Sequence, residues 1–284
     1  MLSRETSDSG KVWEKGRTIM KKIFALLLAA LFALAAAGCA TGEQDTSKVG
    51  SAEPGSGNRK ITMGFAQIGE QSTWRAAHSA SIKQAAEDAG IELQFSNAEL
   101  KQENQIRAIR SFIAQKVDII AFSPIVSTGW DEVLKEAKEA KIPVIVVDRD
   151  VQTNDESLYV MRIGTDSVRE GREAFRWLDG YVERTGKKPR DGGSGGGVPH
   201  DDGAKLNIAE IEGPTGSSVV VRRDTGFRDE MTNSPNKEKY EILVTQNSTF
   251  TKEGGRQVME AILKNHKDKI DILFAQNDDM ALGA

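Results

Sequence analysis

From Arg59 onward, short β-rich runs alternate with stretches whose apolar residues recur at helical spacing. The runs fall at 60–66, 91–95, 118–122 and 143–147. Between them, Trp74, Ala77, Ile82, Ala85 and Ala89 fall near one helical face. Ile106, Ile109, Phe112 and Ile113 form a second stripe, and Val133, Leu134, Ala137 and Ala140 a third. Gly90 stands where a left-handed residue closes the first helix. Strand and helix alternating at this spacing predict a parallel sheet wrapped by helices. A second series follows, with strands expected at 158–163, 206–211, 241–246 and 270–275 and helices at 168–183, 217–231 and 253–265. The two series predict an α/β protein of two similar lobes, 59–150 and 151–284. A Gly-rich surface insertion at 186–204 interrupts the second lobe. The last residues, 277–284, read as a turn and a half of a helix capped by Asn or Asp, so the second lobe is expected to be incomplete and C-terminally truncated.

The segment before Arg59 has a different character. Met20-Lys21-Lys22 is basic, 23–37 is almost unbroken apolar sequence, and Ala36-Ala37-Gly38 precedes Cys39. This is the pattern of a secretory signal, and the run is short of the roughly 20 residues that a spanning helix needs. It resembles a bacterial lipobox, which implies cleavage before Cys39 and lipidation of that thiol. Residues 1–38 are therefore expected to be an upstream segment plus a lipoprotein signal peptide, with translation starting at Met20. Residues 39–58, polar and rich in Gly and Ser, are expected to be a flexible tether. Cys39 is the only cysteine, so an internal disulfide and a cysteine metal cage are excluded. His78, His200 and His266 are scattered and argue against a histidine metal site. A net charge of −4 with both signs well mixed leaves no basic footprint for nucleic acid. No cofactor is expected.

Val144-Ile145-Val146-Val147 is fit for a fully buried strand, yet it stops on Asp148 and Arg149. In open α/β sheets, ligands sit just beyond the carboxyl ends of strands. Polar groups recur there. Gln67, Ser72, Trp74 and Arg75 follow the first strand, and Ser123 follows the third. In the second lobe, Asp166 and Ser167 follow 158–163, Arg222 and Arg223 lie in the helix after Gly213, Phe250 follows 241–246, and Asn277 follows the last strand. Asp and Asn accept or donate several hydrogen bonds, and Arg supplies a planar fork of five donors. Bonds from Asp148 and Arg149 would be about twice as strong as neutral ones. Such a set suits a molecule with many hydroxyls, whose C–H faces can pack on Trp74 and Phe250. It supplies no activated nucleophile and no matched acid–base pair.

Other motifs fail on context. Gly192-Gly193-Ser194-Gly195-Gly196 fits the letters of a nucleophile elbow, but that turn needs a strand before it and a helix after, and here the order is reversed. Gly180 to Gly186-Lys187 has one residue too many for a phosphate loop, and Lys188 stands where Ser or Thr is required. His78 reads as a packed side chain beside Trp74 and Ile82.

The segments "STWRAA" (72–77), "KQENQIRAIRSFIAQKVDIIAFSPIVSTGW" (101–130), "IPVIVVDRD" (142–150), "EGPTGSSVVVRRDTGF" (212–227) and "FAQNDDMALGA" (274–284) resemble periplasmic sugar-binding proteins of the ribose-binding type, which feed ABC importers. The Trp-Arg pair and the "SPIVSTGW" turn look closest to the galactofuranose-binding branch. The resemblance implies two Rossmann-like lobes joined by hinge strands (a type I periplasmic binding protein) closing on one monosaccharide. It places Trp74, Arg75, Asp148 and Arg149 on the sugar from the first lobe, with Gln67 and Ser123 as weaker matches. From the second lobe it implies Ser167, Arg223, Phe250 and Asn277, although Ser167 stands where many members carry Asn. The implied partners are the sugar, an ABC permease, and the membrane through Cys39; the implied location is extracytoplasmic. A membrane-tethered sensor signalling to a kinase, and the effector core of a LacI-type regulator, share the fold. A regulator would need a helix-turn-helix where the signal stands, and an enzyme is a third rival, in which Asp148 resembles a phosphoacceptor at a strand end.

Overall fold

In the computed structural model, which describes residues 59–189 and 204–284, the strand predicted to open the second lobe completes the first sheet. The expected signal peptide, Cys39, the tether, His200 and most of the Gly-rich insertion, including 192–196, lie outside the described residues.

The first sheet is built from β1 (Thr62–Gln67), β2 (Glu92–Asn97), β3 (Ile119–Phe122), β4 (Val144–Val147) and β5 (Met161–Ile163), in the order β2-β1-β3-β4-β5. Every neighbouring pair is parallel. Helices α1 (Thr73–Asp88), α2 (Gln102–Ala114) and α3 (Asp131–Glu139) provide the crossovers. Two features correct the sequence-based expectation. Residues 158–163 do not begin the second lobe: Ile145, Val146 and Val147 pair with Met161, Arg162 and Ile163, so the first sheet runs past residue 150. The α1 face turned inward is Arg75, Ser79 and Ala86, whereas Trp74, Ala77, Ala85 and Ala89 are exposed. Alanine-rich α1 has little apolar bias to orient it, and the contacts of Arg75 choose its face.

The core of this lobe lies between α2, α3 and the sheet. Trp130, Phe122, Ile109, Ile120 and Leu134 are fully buried there. The Trp130 and Phe122 rings lie 4.9 Å apart, and Trp130 Nε1 donates to Val126 O at 2.7 Å, so the indole is buried with its polar atom satisfied. Burial of each such side chain is worth about 1.5–3 kcal/mol.

The second sheet contains β6 (Leu206–Glu212), β7 (Tyr240–Asn247) and β8 (Ile272–Ala275), all parallel, in the order β7-β6-β8. Helices α4 (Ser167–Thr185) and α5 (Ser218–Asn233) cover one face around Phe175, Leu178, Ile208 and Phe227. Helices α6 (Lys252–His266) and α7 (Asp278–Gly283) cover the other around Ile211, Val219, Ile262 and Met280. Helices α4 and α5 meet through Gly171 and Gly226: a Cβ at the first would strike Arg223 O, and one at the second would strike Val168 O. That contact fixes the backbone on which Arg223 stands.

Among the described residues the polypeptide passes from the first sheet to the second lobe through residues 164–166. The lobes also touch away from this crossing. Ser127 N donates to Gly216 O at 3.1 Å, Asp150 N to Ser218 Oγ at 2.8 Å, and Thr73 N to Asp279 Oδ2 at 2.9 Å.

Candidate functional site

The carboxyl ends of β1, β3 and β4 are tied together by one buried guanidinium. Ser72 caps α1, its Oγ accepting from Arg75 N at 3.2 Å, which sets Arg75 on the first turn facing the sheet. Arg75 Nη2 then donates to Asp148 Oδ2 at 2.8 Å, and Nη1 reaches Ser123 Oγ at 3.2 Å and Gln67 Oε1 at 3.4 Å. Ser123 Oγ in turn donates to Asp148 Oδ2 at 3.3 Å. Both bonds to Asp148 fall on Oδ2, leaving Oδ1 open. Asp148 adopts a left-handed φ of 67°, a conformation that costs a non-glycine residue energy and turns the strand end abruptly.

Trp74, 54% exposed, lays its ring over the Arg75 guanidinium at 4.7 Å and stacks on His78 at 5.0 Å. His78 is the packed residue expected of it. Burial and the Arg75 charge pull its pKa below the ordinary histidine value. Gln67 is fully buried, its amide engaged by Ile68 N, Arg75, Ser79 and His78. It positions Arg75 and has no atom left for a ligand.

Arg149 is buried beside this cluster. Its Nη1 donates to Ile125 O at 2.7 Å, its Nε is buried without a partner, and its guanidinium lies 5.9 Å from the Phe250 ring. Burial first, and then the charges of Arg75 and Arg223, pull Arg149 down to about 10 despite Asp148. Phe250 comes from the second lobe and also has a left-handed φ of 62°. It packs face-on where Gly213 has no side chain, and a Cβ there would collide with its ring.

From the second lobe, Asn277 caps α7, with Oδ1 accepting from Met280 N at 2.9 Å and Nδ2 donating to Phe250 O at 3.1 Å. Arg223 is held by Glu170 Oε2 at 2.8 Å and Gln276 O at 2.9 Å. Burial alone would raise the Glu170 pKa, but bonds from Thr165 and Arg223 hold it below the usual glutamate value. Arg222 points elsewhere and pairs with Asp150 across the lobes at 2.5 Å. Trp74, Arg75, Ser123, Asp148, Arg149, Phe250, Arg223 and Asn277 thus gather where the two lobes meet. Ser167 is fully buried on the first turn of α4 with its Oγ unpartnered, and no hydrogen bond joins it to the others.

Two buried amides escaped the sequence reading. Gln105 Nε2 donates to Ala66 O at 3.0 Å and to Ser123 O at 2.6 Å, while its Oε1 accepts from Ile125 N at 3.2 Å. Gln276 does the equivalent work in the second lobe, bonding Gly213 N and Val220 O. Each fixes strand-end loops that carry site residues. Gln276 directly follows β8, which hints at its role in the sequence, whereas Gln105 lies in the first turn of α2 and carries no such signal. A separate hollow of about 390 Å³ lies at the opposite, amino edge of the first sheet, lined by Ile113, Lys116, Asp118 and Ile142; it shares no residue with the cluster.

Residues 63–284 match the periplasmic binding protein domain. The chain belongs to the periplasmic binding protein family. It is 39% identical to the galactofuranose-binding protein YtfQ of Escherichia coli over 79% of this chain, and it spans 64% of the length of that relative. A Mycobacterium smegmatis protein solved in complex with β-D-fucofuranose is 46% identical, with a TM-score of 0.69 over 79% of this chain and 67% of the other. The periplasmic binding component of the arabinose ABC transporter from Shewanella sp. ANA-3, bound to α- and β-L-arabinofuranose, is 40% identical, with a TM-score of 0.68 over the same shares. As a periplasmic binding protein, the molecule has the two-lobed parallel α/β architecture that the strand–helix alternation predicted.

Proposed function

We propose that this periplasmic binding protein captures a monosaccharide in furanose form and presents it to an ABC permease from outside the cytoplasm. The observation that carries the reading is the single cluster in which Arg75, Asp148 and Arg149 of one lobe meet Phe250, Arg223 and Asn277 of the other. Asp148 Oδ1 and the unpartnered Arg149 Nε offer an acceptor and a donor to sugar hydroxyls. The rings of Trp74 and Phe250 offer apolar faces to its C–H bonds. Furanose ligands of the similar proteins support the ring form. Nothing in the cluster is an activated nucleophile, so binding without chemistry is the reading the residues support. On this proposal Cys39 anchors the lipoprotein to the membrane, residues 39–58 span the gap to it, and lobe closure follows sugar binding by a hinge motion.

Thermal-shift screening against pentoses and hexoses, including galactofuranose and L-arabinofuranose derivatives, tests the proposal. A bound sugar should raise the melting temperature with its concentration. A flat response to every sugar, with transfer of label from a phosphodonor to Asp148, would overturn it.

A further inference from the structure

We propose that Glu210, Glu212 and Asp224 form a site for a hard divalent cation of calcium size, apart from the sugar cluster. Glu210 and Glu212 alternate along the end of β6 on the face that α5 covers, and Asp224 comes from α5. One carboxylate oxygen from each lies within 4.8 Å of the others. Calcium–oxygen bonds of about 2.3–2.6 Å allow ligands on opposite sides of one ion to stand roughly that far apart.

The surroundings hold one oxygen of each carboxylate and leave the other. Glu210 Oε2 accepts from Arg228 Nη2 at 2.7 Å and Thr245 Oγ1 at 3.2 Å. Glu212 Oε2 accepts from Asn247 Nδ2 at 3.0 Å. Asp224 Oδ1 accepts from Arg228 Nε. These are the partners that orient carboxylates around a metal. The observation that points to an occupant is Glu210 Oε1: its side chain is fully buried, and this oxygen has no hydrogen-bond partner. A buried carboxylate oxygen left without a partner is costly. Charge argues the same way, because three carboxylates face one guanidinium and a divalent ion would bring the group to neutrality.

The experiment is calorimetric titration of the EDTA-stripped full-length protein with CaCl2 at pH 7.5, repeated with MgCl2 and MnCl2. The expected result is a saturable one-site isotherm with calcium. The half-exposed variants Asp224→Asn and Glu212→Gln should each weaken it at least tenfold while keeping the near-ultraviolet circular dichroism of the parent. Two results overturn the site: no saturable heat with any of the three ions, which leaves a proton as the occupant of Glu210, or a calcium isotherm unchanged in both folded variants. If one variant fails to fold, the other alone decides by the same criterion.

Discussion

Arg75 Nη2 lies 2.8 Å from Asp148 Oδ2, joining the first turn of α1 to the end of β4 across 73 positions of sequence. Both side chains are largely withdrawn from water. The pair sets which face of α1 meets the sheet and which way the β4 end points. Replacing Arg75 with Met strands the Asp148 charge and should cost about 3 kcal/mol. The double variant Arg75→Met, Asp148→Asn should cost less than the sum of the two single variants. Urea denaturation of the four proteins checks this; additive losses would show that the two groups are not coupled.

Arg149 answers to a different balance. It is a cation held in a buried place near two others, Arg75 and Arg223. Arg149→Ala removes that strain along with one bond to Ile125 O, so stability should change by only about 1 kcal/mol. On the sugar-binding reading, each lost charge-assisted bond is worth about 1.5–3 kcal/mol, which weakens sugar binding tenfold or more. Calorimetry with the best sugar from the screen, beside a melt without sugar, separates the two effects. Unchanged affinity would remove Arg149 from the site.

The lobes carry a clasp outside the cluster. Asp279, at the start of α7, accepts from Thr73 N at 2.9 Å and Thr73 Oγ1 at 3.0 Å at the start of α1. A carboxylate is favoured at both helix N-termini. Asp279→Ala should open the lobes without touching Arg149 or Asp148. The radius of gyration from small-angle scattering should rise, and sugar affinity should fall because the closed form is less populated. A variant with unchanged scattering and affinity would show that the clasp does not hold the lobes together.

The legible part of the fold was local. Apolar runs ending in polar residues marked β1, β3, β4 and β8, and helical stripes marked α2 and α3, because those signals are contained within a few residues. The illegible part was set by distant partners. Three-residue β5 carries no signal for which sheet it joins; its register against β4 decides that. Arg75 was legible as a polar residue beyond a strand end, but not its burial between Asp148 and Ser123. Gln67 stands at a strand end like the other site residues, yet its amide is consumed by neighbours on α1. Glu210 sits between Ala209 and Ile211 in a buried strand, and only the position of α5, fixed by Gly171 and Gly226, brings Asp224 and Arg228 to it.

That placement of Glu210 also sets a pH dependence. Its pKa rises from an ordinary 4.5 to about 7 on folding. Between those values the folded protein keeps a proton that the unfolded one has released. The stability tied to Glu210 is therefore fully present below about pH 4.5 and lost as the pH climbs through 7. Glu210→Gln keeps the shape and an acceptor for Arg228 but cannot ionise. In EDTA, the stability of this variant relative to the parent should therefore improve from pH 4.5 to pH 8, by at most about 3 kcal/mol. Titrating groups away from Glu210 are common to both proteins and cancel in the difference. Urea denaturation across this range measures it, and a difference that stays level would mean that Glu210 ionises as freely in the folded state as in the unfolded one. Saturating CaCl2 should flatten the parent's loss between pH 4.5 and 7, because an ion on the carboxylates favours the charged form that burial opposes.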